Sequence, residues 1–206
     1  MMRDYRFSED WFSDIGISHV LPLGNKEEFH ILEIGSYEGK STTWFLDNLL
    51  LSKDSTITCV DPWMNFSQDS NSFNSYNADV TQWSLEKIKE VFLHNILQSG
   101  QSDKVIIHQS LSHEALPILI TQKKFYDLIY IDGNHTAPFV LTDSVMSWLL
   151  LKKGGMIIFD DYYWGSYETE KTLTPKLSID SFIEVYKDYL EVLSGDDSYR
   201  KIIRKK

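Results

Sequence analysis

Several features are scarce in this 206-residue sequence, and each absence excludes a class of protein. The only cysteine is Cys59, so no disulfide can form within the chain, and a reducing compartment is indicated. No apolar run approaches the roughly 18 residues that a membrane helix needs. The charged start, "MMRDYRFSEDWF", has no apolar core and does not resemble a signal peptide. Together these absences predict a cytoplasmic protein with no membrane partner.

Positive charge is scarce as well. The formal net charge is -10, from 20 Lys and Arg against 30 Asp and Glu. Affinity for nucleic acid comes largely from basic side chains on phosphates, so this balance predicts no nucleic-acid partner. Hydrophobic residues make up 42% of the sequence, which is typical of a protein with a buried core. The length favours one domain over residues 1–206.

Short apolar runs alternate with segments of helical spacing along most of the chain. Strands are predicted at 29–34, 56–60, 104–108, 126–132, 156–159, 190–193 and 199–204. Helices are predicted at 40–51, 83–97, 112–120, 139–151 and 178–189, with Gly154 and Gly155 stopping the fourth of them. This alternation predicts an α/β fold with a mostly parallel sheet that is covered on both faces.

Two segments do not fit the alternation. Residues 1–28 are expected to form an N-terminal helical segment or lid, with Trp11 and Phe12 as its large side chains. Residues 64–82 are rich in Asn and Ser and have no period, so a mobile loop is expected there.

Ligands of such sheets bind beyond the carboxyl ends of the strands. The predicted strand ends carry Gly35–Gly39, Asp61, Ser110, Asp132–His135 and Asp160–Tyr163. The sequence therefore predicts an acidic rim with one glycine turn, and this rim is where a functional site is expected.

The glycine turn ends in Gly-Lys-Ser, like a nucleotide-binding P-loop. A P-loop has four residues between its glycines, whereas Gly35 and Gly39 enclose three, one of them the acid Glu38. The turn also lacks the close first glycine pair of a dinucleotide fingerprint, so it suits a nucleoside cofactor without phosphates. Glycines let such a cofactor approach the backbone, and Asp61 could accept hydrogen bonds from both ribose hydroxyls. A P-loop NTPase and a plain strand-to-helix turn both stay open.

Four motifs together resemble a known family. They are "ILEIGSYEGKST", "VDPW", "FYDLIYIDGNH" and "LLLKKGGMIIFDDYYW", which span roughly residues 29–164. In order and spacing they resemble the class I, Rossmann-like S-adenosylmethionine-dependent methyltransferases. Within that family the chain is most similar to small-molecule O-methyltransferases of the macrocin sugar-methylating type.

The resemblance implies a fold and an activity. The fold is a three-layer, Rossmann-like domain with a mostly parallel seven-stranded sheet and a C-terminal antiparallel strand. The activity is methylation of a small-molecule oxygen with S-adenosylmethionine as the cofactor. A binding module that keeps the fold and only senses the cofactor stays an alternative, and the oligomeric state is left open.

The resemblance also implies roles for individual residues. Cofactor-binding residues are expected at Glu33, Gly35, Ser36, Gly39, Asp61, Trp63 and Ser110. Among these, Asp61 would hold the ribose, Trp63 would lie near the adenosine, and Ser110 would contact the adenine. The sequence around Ser110, "HQSLSHEAL", departs from the family by lacking a Gly-Asp-Ser triplet.

A metal site is implied at the other strand ends. Asp132, Asp160 and Asp161 match the carboxylates that hold a divalent cation in metal-dependent members, and His135 matches the histidine of their Asp-Gly-x-His motif. Oxygen ligands suit Mg²⁺, Mn²⁺ or Ca²⁺ better than Zn²⁺. Asp132 or His135 is the expected catalytic group that accepts the proton of the substrate hydroxyl. A metal-free site stays open, because the same acids are also common in turns.

Overall fold

The computed structural model describes residues 3–13, 17–64, 85–165, 169–194 and 199–206. The strands are β1 (His30–Ile34), β2 (Thr56–Val60), β3 (Val105–His108), β4 (Tyr126–Ile131), β5 (Leu151–Phe159), β6 (Leu190–Val192) and β7 (Lys201–Lys205). The α-helices are α1 (Lys40–Asn48), α2 (Leu85–Ser99), α3 (Ser112–Thr121), α4 (Ala137–Leu150) and α5 (Lys176–Tyr186).

The strands form one seven-stranded sheet in the order β3-β2-β1-β4-β5-β7-β6. Strands β1 to β5 run parallel, while β7 pairs antiparallel with both β5 and β6. The predicted Rossmann-like sheet with antiparallel pairing at its C-terminal end is therefore confirmed.

The sheet is buried on both faces because successive side chains of a strand point to opposite sides. On one face Ile31, Leu128 and Ile158 belong to a core that includes Phe45 of α1 and Phe92 of α2. On the other face Leu32, Ile129 and Ile157 belong to a core that includes Leu116 of α3, Val140 of α4 and Phe182 of α5. This burial on two sides explains why the central strands read as continuous apolar runs.

The end of α4 differs from the prediction. The helix ends at Leu150 and β5 begins at the next residue, so Gly154 and Gly155 lie inside the strand rather than stopping the helix. The start of the strand is held by Lys152, whose amine donates to a carboxylate oxygen of Asp127 at 2.7 Å. The two residues of this contact lie 25 positions apart in the chain. Local sequence signals do not contain such a contact, so they could not predict the boundary.

The N-terminal segment is only partly helical. Residues 3–13 contain neither helix nor strand, and a 3₁₀ helix covers Ser18–Asn25. The mobile loop predicted at 64–82 lies outside the described residues apart from Met64. Among the described helices, none is both long enough and apolar enough to cross a membrane.

Candidate functional site

The strand ends that carry the predicted site residues meet at one edge of the sheet. Four of these residues donate their backbone N–H to the last residue of the neighbouring strand: Gly35 to Val60 (2.9 Å), Asp61 to His108 (3.2 Å), Asp132 to Ile34 (2.8 Å) and Asp160 to Ile131 (3.0 Å). Each ladder thus continues one residue beyond its strand. The sheet itself aligns the glycine turn and the acids that follow it.

Glu33 is the buried foundation of the glycine turn. Its side chain is fully enclosed and accepts hydrogen bonds from the hydroxyls of Ser36 and Ser41, each at 2.6 Å, and from that of Thr42. Burial raises the pKa of this carboxyl, and the three hydroxyls partly oppose the shift. The contacts of Glu33 hold the turn and the first residues of α1 in place, and Ser36 belongs to this support.

The two glycines are required by packing within the protein. Gly35 and Gly39 have φ of 85° and 81°, a region that other residues adopt with strain. A Cβ at Gly35 would lie 2.1 Å from the carbonyl oxygen of Asp132, and one at Gly39 would lie 2.9 Å from the ring of Phe92. The structure therefore adds a packing reason for these glycines, and the predicted approach of a cofactor to the turn stays a prediction.

Asp61 clamps the turn to the end of β2. Its Oδ2 accepts the backbone N–H groups of Ser36 and Tyr37, each at 2.9 Å, and its Oδ1 accepts that of Trp63 at 2.8 Å. Burial raises the pKa of the carboxyl, and the three backbone bonds partly oppose the shift. A carboxylate can accept about four hydrogen bonds, so Asp61 as it stands has room for about one ribose hydroxyl rather than two.

Trp63 and Ser110 flank this clamp. The indole of Trp63 donates to the carbonyl oxygen of Tyr37 at 2.9 Å, and its ring centroid lies 4.8 Å from that of Phe92. This packing places Trp63 behind the turn, where it is 6% exposed. Ser110 follows β3, is half-buried, and donates its backbone N–H to the carbonyl of His108 at 3.0 Å.

Three side chains converge at the ends of β4 and β5. Ligand atoms of Asp132, His135 and Asp161 all lie within 4.8 Å of one another, and these three residues are called the acidic cluster below. The Nε2 atom of His135 is 3.5 Å from Asp132 Oδ1 and 3.2 Å from Asp161 Oδ2. Neither contact has hydrogen-bond geometry, and this buried nitrogen has no hydrogen-bond partner among the described residues.

The like charges of the acidic cluster lie close together, which is electrostatically unfavourable unless a proton or a cation is bound. Burial and the neighbouring carboxylates, Asp160 first, raise the pKa of Asp132 to about 7. Burial lowers the pKa of His135, but the carboxylates around it outweigh burial and raise that pKa overall. The backbone of Asp161 has φ of 55°, which is strained for this residue type. Such a group of acids is relieved by a proton or by a bound cation.

Asp160 lies beside the acidic cluster but has other partners. Its Oδ2 accepts from Arg200 at 2.9 Å and from the Tyr130 hydroxyl, and its Oδ1 accepts the backbone N–H of Asp161 at 2.9 Å. The carboxylate set predicted from the sequence thus meets at one place, with His135 in the cluster where Asp160 was expected. Tyr130 and Arg200 were not predicted from the sequence as site residues. The one local signal was the hydroxyl of Tyr130 in a largely apolar strand, and nothing in the local sequence pointed to Arg200.

The cluster has the chemistry of a cation site. It offers two carboxylates and one imidazole, a mixed oxygen and nitrogen donor set that suits a transition-metal ion such as Mn²⁺ better than Mg²⁺, which prefers oxygen ligands alone. Its side chains are between 23% and 30% exposed, so an ion can reach them from solvent. The buried Nε2 of His135, which lacks a hydrogen bond within the described structure, fits the place of a metal ligand.

A cleft opens beside the cluster. Its apolar lining comes from Val140, Phe159, Pro175 and Ile179. The indole of Trp164, which is not part of this lining, packs on His135, with ring centroids 4.8 Å apart. The cleft thus joins apolar side chains to Asp132 and His135 of the acidic cluster.

Comparison with known proteins identifies the family. Residues 32–162 match a family model described as "Methyltransferase domain". The chain belongs to this methyltransferase family. The match rules out the P-loop alternative and confirms the resemblance in the sequence motifs. An uncharacterized protein of Acanthamoeba polyphaga mimivirus is 29% identical over 137 residues, which are 66% of this chain and 53% of that protein. The chain thus spans about half the length of this curated relative.

Solved structures share the fold at low sequence identity. The Bacillus cereus O-methyltransferase in complex with SAH is 19% identical, with a TM-score of 0.61 over 91% of this chain and 77% of that one. The Streptomyces achromogenes O-methyltransferase TomG in complex with SAM is 16% identical, with a TM-score of 0.58 over 85% and 71%. The calicheamicin methyltransferase CalS11 is 14% identical, with a TM-score of 0.59 over 90% and 75%.

Proposed function

We propose that this methyltransferase moves a methyl group from S-adenosylmethionine to an oxygen of a small molecule. One observation carries the proposal: the glycine turn and the acidic cluster touch. A Cβ at Gly35 would lie 2.1 Å from the carbonyl oxygen of Asp132, so the turn after β1 packs directly on the loop after β4. A methyl donor at the turn would therefore lie beside a group that can accept a proton. The SAM and SAH complexes among structures of this fold support the same cofactor here.

The residues around the turn would hold the cofactor. S-adenosylmethionine supplies an electrophilic methyl group on a sulfonium, and its transfer needs the acceptor oxygen in line with the carbon–sulfur bond. Asp61 has capacity for about one more hydrogen bond, which fits one ribose hydroxyl. Glu33, Ser36, Gly35 and Gly39 keep the turn in shape, and Ser110 stands where the adenine edge is expected.

The acceptor hydroxyl must lose its proton as the new carbon–oxygen bond forms. We assign this role to His135, because the residue lines the cleft and its buried Nε2 has no hydrogen bond within the described structure. Asp132, 3.5 Å from that nitrogen, would stabilise the imidazolium that results. This proton path requires no metal, and it is one of two forms that the mechanism can take.

In the other form a divalent cation, with Mn²⁺ ahead of Mg²⁺ and Ca²⁺, would be held by Asp132, His135 and Asp161. When bound, the cation would orient two adjacent acceptor oxygens and lower the pKa of one of them. Asp160 is the weaker candidate ligand because Arg200 and Tyr130 already occupy its carboxylate. A small molecule with neighbouring oxygens, such as a sugar or a catechol, is the acceptor class that fits.

Titration calorimetry with S-adenosylhomocysteine and with ATP tests the cofactor. We expect binding of the first and none of the second, and Lys40→Ala should leave the result unchanged because the Lys40 amine is paired with Asp10. ATP binding that Lys40→Ala abolishes would contradict the proposal. Formation of S-adenosylhomocysteine with sugar, phenol and catechol acceptors then tests catalysis, and cofactor binding without turnover of any acceptor would favour the binding-only alternative.

The remaining expectations keep their status as predictions. A net charge of -10 supports a small-molecule partner over nucleic acid, and the single cysteine supports a cytoplasmic location. A lid role for the N-terminal segment is consistent with the ring of Trp11, which lies 5.3 Å from that of Tyr37 in the glycine turn.

A further inference from the structure

Residues 3–13, called the strap below, lie across the glycine turn. The backbone N–H and the hydroxyl of Ser8 each donate to the Glu38 carboxylate at 2.7 Å. Glu38 is 2% exposed, so this acid of the P-loop-like motif is buried against the strap and does not face solvent. Lys40, the other P-loop-like residue, pairs with Asp10 of the strap.

Asn95 of α2 fastens the same end of the strap. Its side-chain oxygen accepts the N–H of Arg6 at 2.7 Å, and its side-chain nitrogen donates to the Arg6 carbonyl at 2.7 Å. The same nitrogen also donates to the carbonyl of Glu38 at 2.8 Å. The amide therefore ties the strap and the glycine turn to one helix, and this fastening is independent of the acidic cluster.

The other end of the strap is fastened by Arg200, just before β7. One guanidinium nitrogen donates to the carbonyl of Ser13 at 2.6 Å, and the group lies 5.4 Å from the ring centroid of Phe12. Another nitrogen donates to Asp160 at 2.9 Å. Both charged side chains of this ion pair are only 7% exposed. A single guanidinium thus contacts the end of the strap and the acid that adjoins the acidic cluster.

We propose that Arg200 is a positioning residue that couples closure of the strap to the charge of the acidic cluster. The inference rests on the proposed function, since the cluster is taken as the cation and acceptor site. Arg200 pairs with Asp160 and so reduces, without abolishing, the negative charge that this acid adds at the cation site. The same guanidinium holds Phe12 and Ser13, so the strap wall that includes Trp11 stays over the turn.

The two duties depend on different properties of the side chain. Neutralising Asp160 needs only a positive charge, whereas reaching Asp160 and the Ser13 carbonyl together needs the planar fork of a guanidinium. Lysine offers the charge on a single nitrogen and lacks the fork. Substitutions at this position therefore separate charge from geometry.

The test compares Arg200→Met, Arg200→Lys and the double variant Arg200→Met with Asp160→Asn. The measurements are Mn²⁺ binding by calorimetry, S-adenosylhomocysteine binding, and the rate of chymotrypsin cleavage after Trp11 or Phe12. For Arg200→Met we expect Mn²⁺ to bind roughly tenfold more tightly, the scale of one unpaired charge a few ångströms away. Cleavage of the strap should accelerate, while S-adenosylhomocysteine affinity stays within about twofold because Asn95 and Glu38 still hold the turn.

Arg200→Lys should restore the wild-type Mn²⁺ affinity but not the protection of the strap. The double variant should show the same split, and it also guards against failure of Arg200→Met to fold, because it removes both members of the buried pair. A purely structural Arg200 would move all three measurements together in every variant, and that result would overturn the inference. Unchanged Mn²⁺ affinity in a folded Arg200→Met variant would overturn it too. If the wild type binds neither Mn²⁺ nor S-adenosylhomocysteine, the proposed function itself fails.

Discussion

The glycine turn with Asp61 and the acidic cluster lie at the same edge of the sheet. Their acids differ in how completely the protein hydrogen-bonds them. Glu33 and Asp61 each accept three hydrogen bonds from the protein. In the acidic cluster the carboxylates repel one another, Asp132 has a pKa of about 7, and the buried Nε2 of His135 lacks a hydrogen bond within the described structure. The protein thus supplies hydrogen-bond donors to the first group, whereas the second group keeps like charges close together.

The difference shows that burial alone does not mark a functional acid. Glu33, in β1 just before the turn, is fully buried, and its bonds to Ser36, Ser41 and Thr42 shape the turn. Asp161 is more exposed, strained in its backbone and close to other acids, which are the features expected of a ligand group. Hydrogen-bond completeness separates the two kinds of acid, and variants at each can test the separation.

The largest effect is expected at Asp143, which is buried like Glu33 but incomplete like the cluster. Ser112 hydrogen-bonds its carboxyl, while Oδ1 has no partner among the described residues. Burial raises the pKa of Asp143 to about 7. The folded protein then holds this proton more tightly than the unfolded chain, so the free energy of unfolding falls as pH rises from about 4 to 7, by up to about 4 kcal/mol.

Asp143→Asn should remove this pH dependence. The variant should match the wild type near pH 4 and exceed its stability near pH 7.5, as measured by urea unfolding at a series of pH values. Other acids contribute to the pH profile of both proteins, so the difference between the two profiles is the relevant quantity. Parallel profiles would show that Asp143 is ionised in the folded state.

The next largest effect is expected at Glu33. Glu33→Ala leaves a cavity and removes the shared acceptor of Ser41 and Thr42, so we expect a loss of about 3 kcal/mol in the free energy of unfolding. Glu33→Gln keeps the volume and one acceptor oxygen, and it should cost clearly less. Equal and small losses in both variants would show that Glu33 does not build the turn.

Asp61 is expected to affect the cofactor. Asp61→Ala should weaken S-adenosylhomocysteine binding by about 2 kcal/mol, the scale of a hydrogen bond to a charged group. It should also lower stability, because the N–H groups of Ser36 and Tyr37 lose their acceptor. Asp61→Asn keeps one acceptor oxygen and is the matched control. A folded Asp61→Ala protein with wild-type affinity in calorimetry would rule out a ribose contact.

The smallest effect concerns the cation. At tenfold excess over its dissociation constant, Mg²⁺ or Mn²⁺ should raise the melting temperature of the wild type by about 3 to 6 °C. Asp161→Asn should abolish the gain, whereas Asp160→Asn should retain most of it because Asp160 is paired with Arg200. Equal losses in the two variants would place Asp160 among the ligands, and no gain in the wild type would leave only the metal-free proton path.

The sequence contains much of the site because parallel strands align their ends. Asp61, Asp132 and Asp160 each follow an apolar run, and the ladder of the sheet then brings them together. The partners that set their roles lie far away along the chain. Arg200 is 40 residues from Asp160, and Phe92, which requires a glycine at position 39, comes from a different helix. Contacts of this kind depend on tertiary packing, which local patterns do not contain.

The start of β5 and the burial of Glu38 both involve contacts between residues that are distant in sequence. The Lys152 amine in β5 donates to the Asp127 carboxylate. Glu38 accepts a hydrogen bond from Ser8, 30 residues earlier in the chain. Both residues look solvent-facing or ligand-facing when only their neighbours in sequence are considered. Their actual partners become visible once the sheet is assembled.

In the cation form of the proposed mechanism, a metal ion would lie in the acidic cluster beside the methyl donor. A crystal structure of the protein with S-adenosylhomocysteine and Mn²⁺, with anomalous data collected for manganese, tests it most directly. We expect an anomalous peak among Asp132, His135 and Asp161, with the nucleoside at the turn of Gly35 and Gly39 near Asp61. Nucleoside density at the turn with no peak in the cluster, or with the ion bound elsewhere, would contradict it.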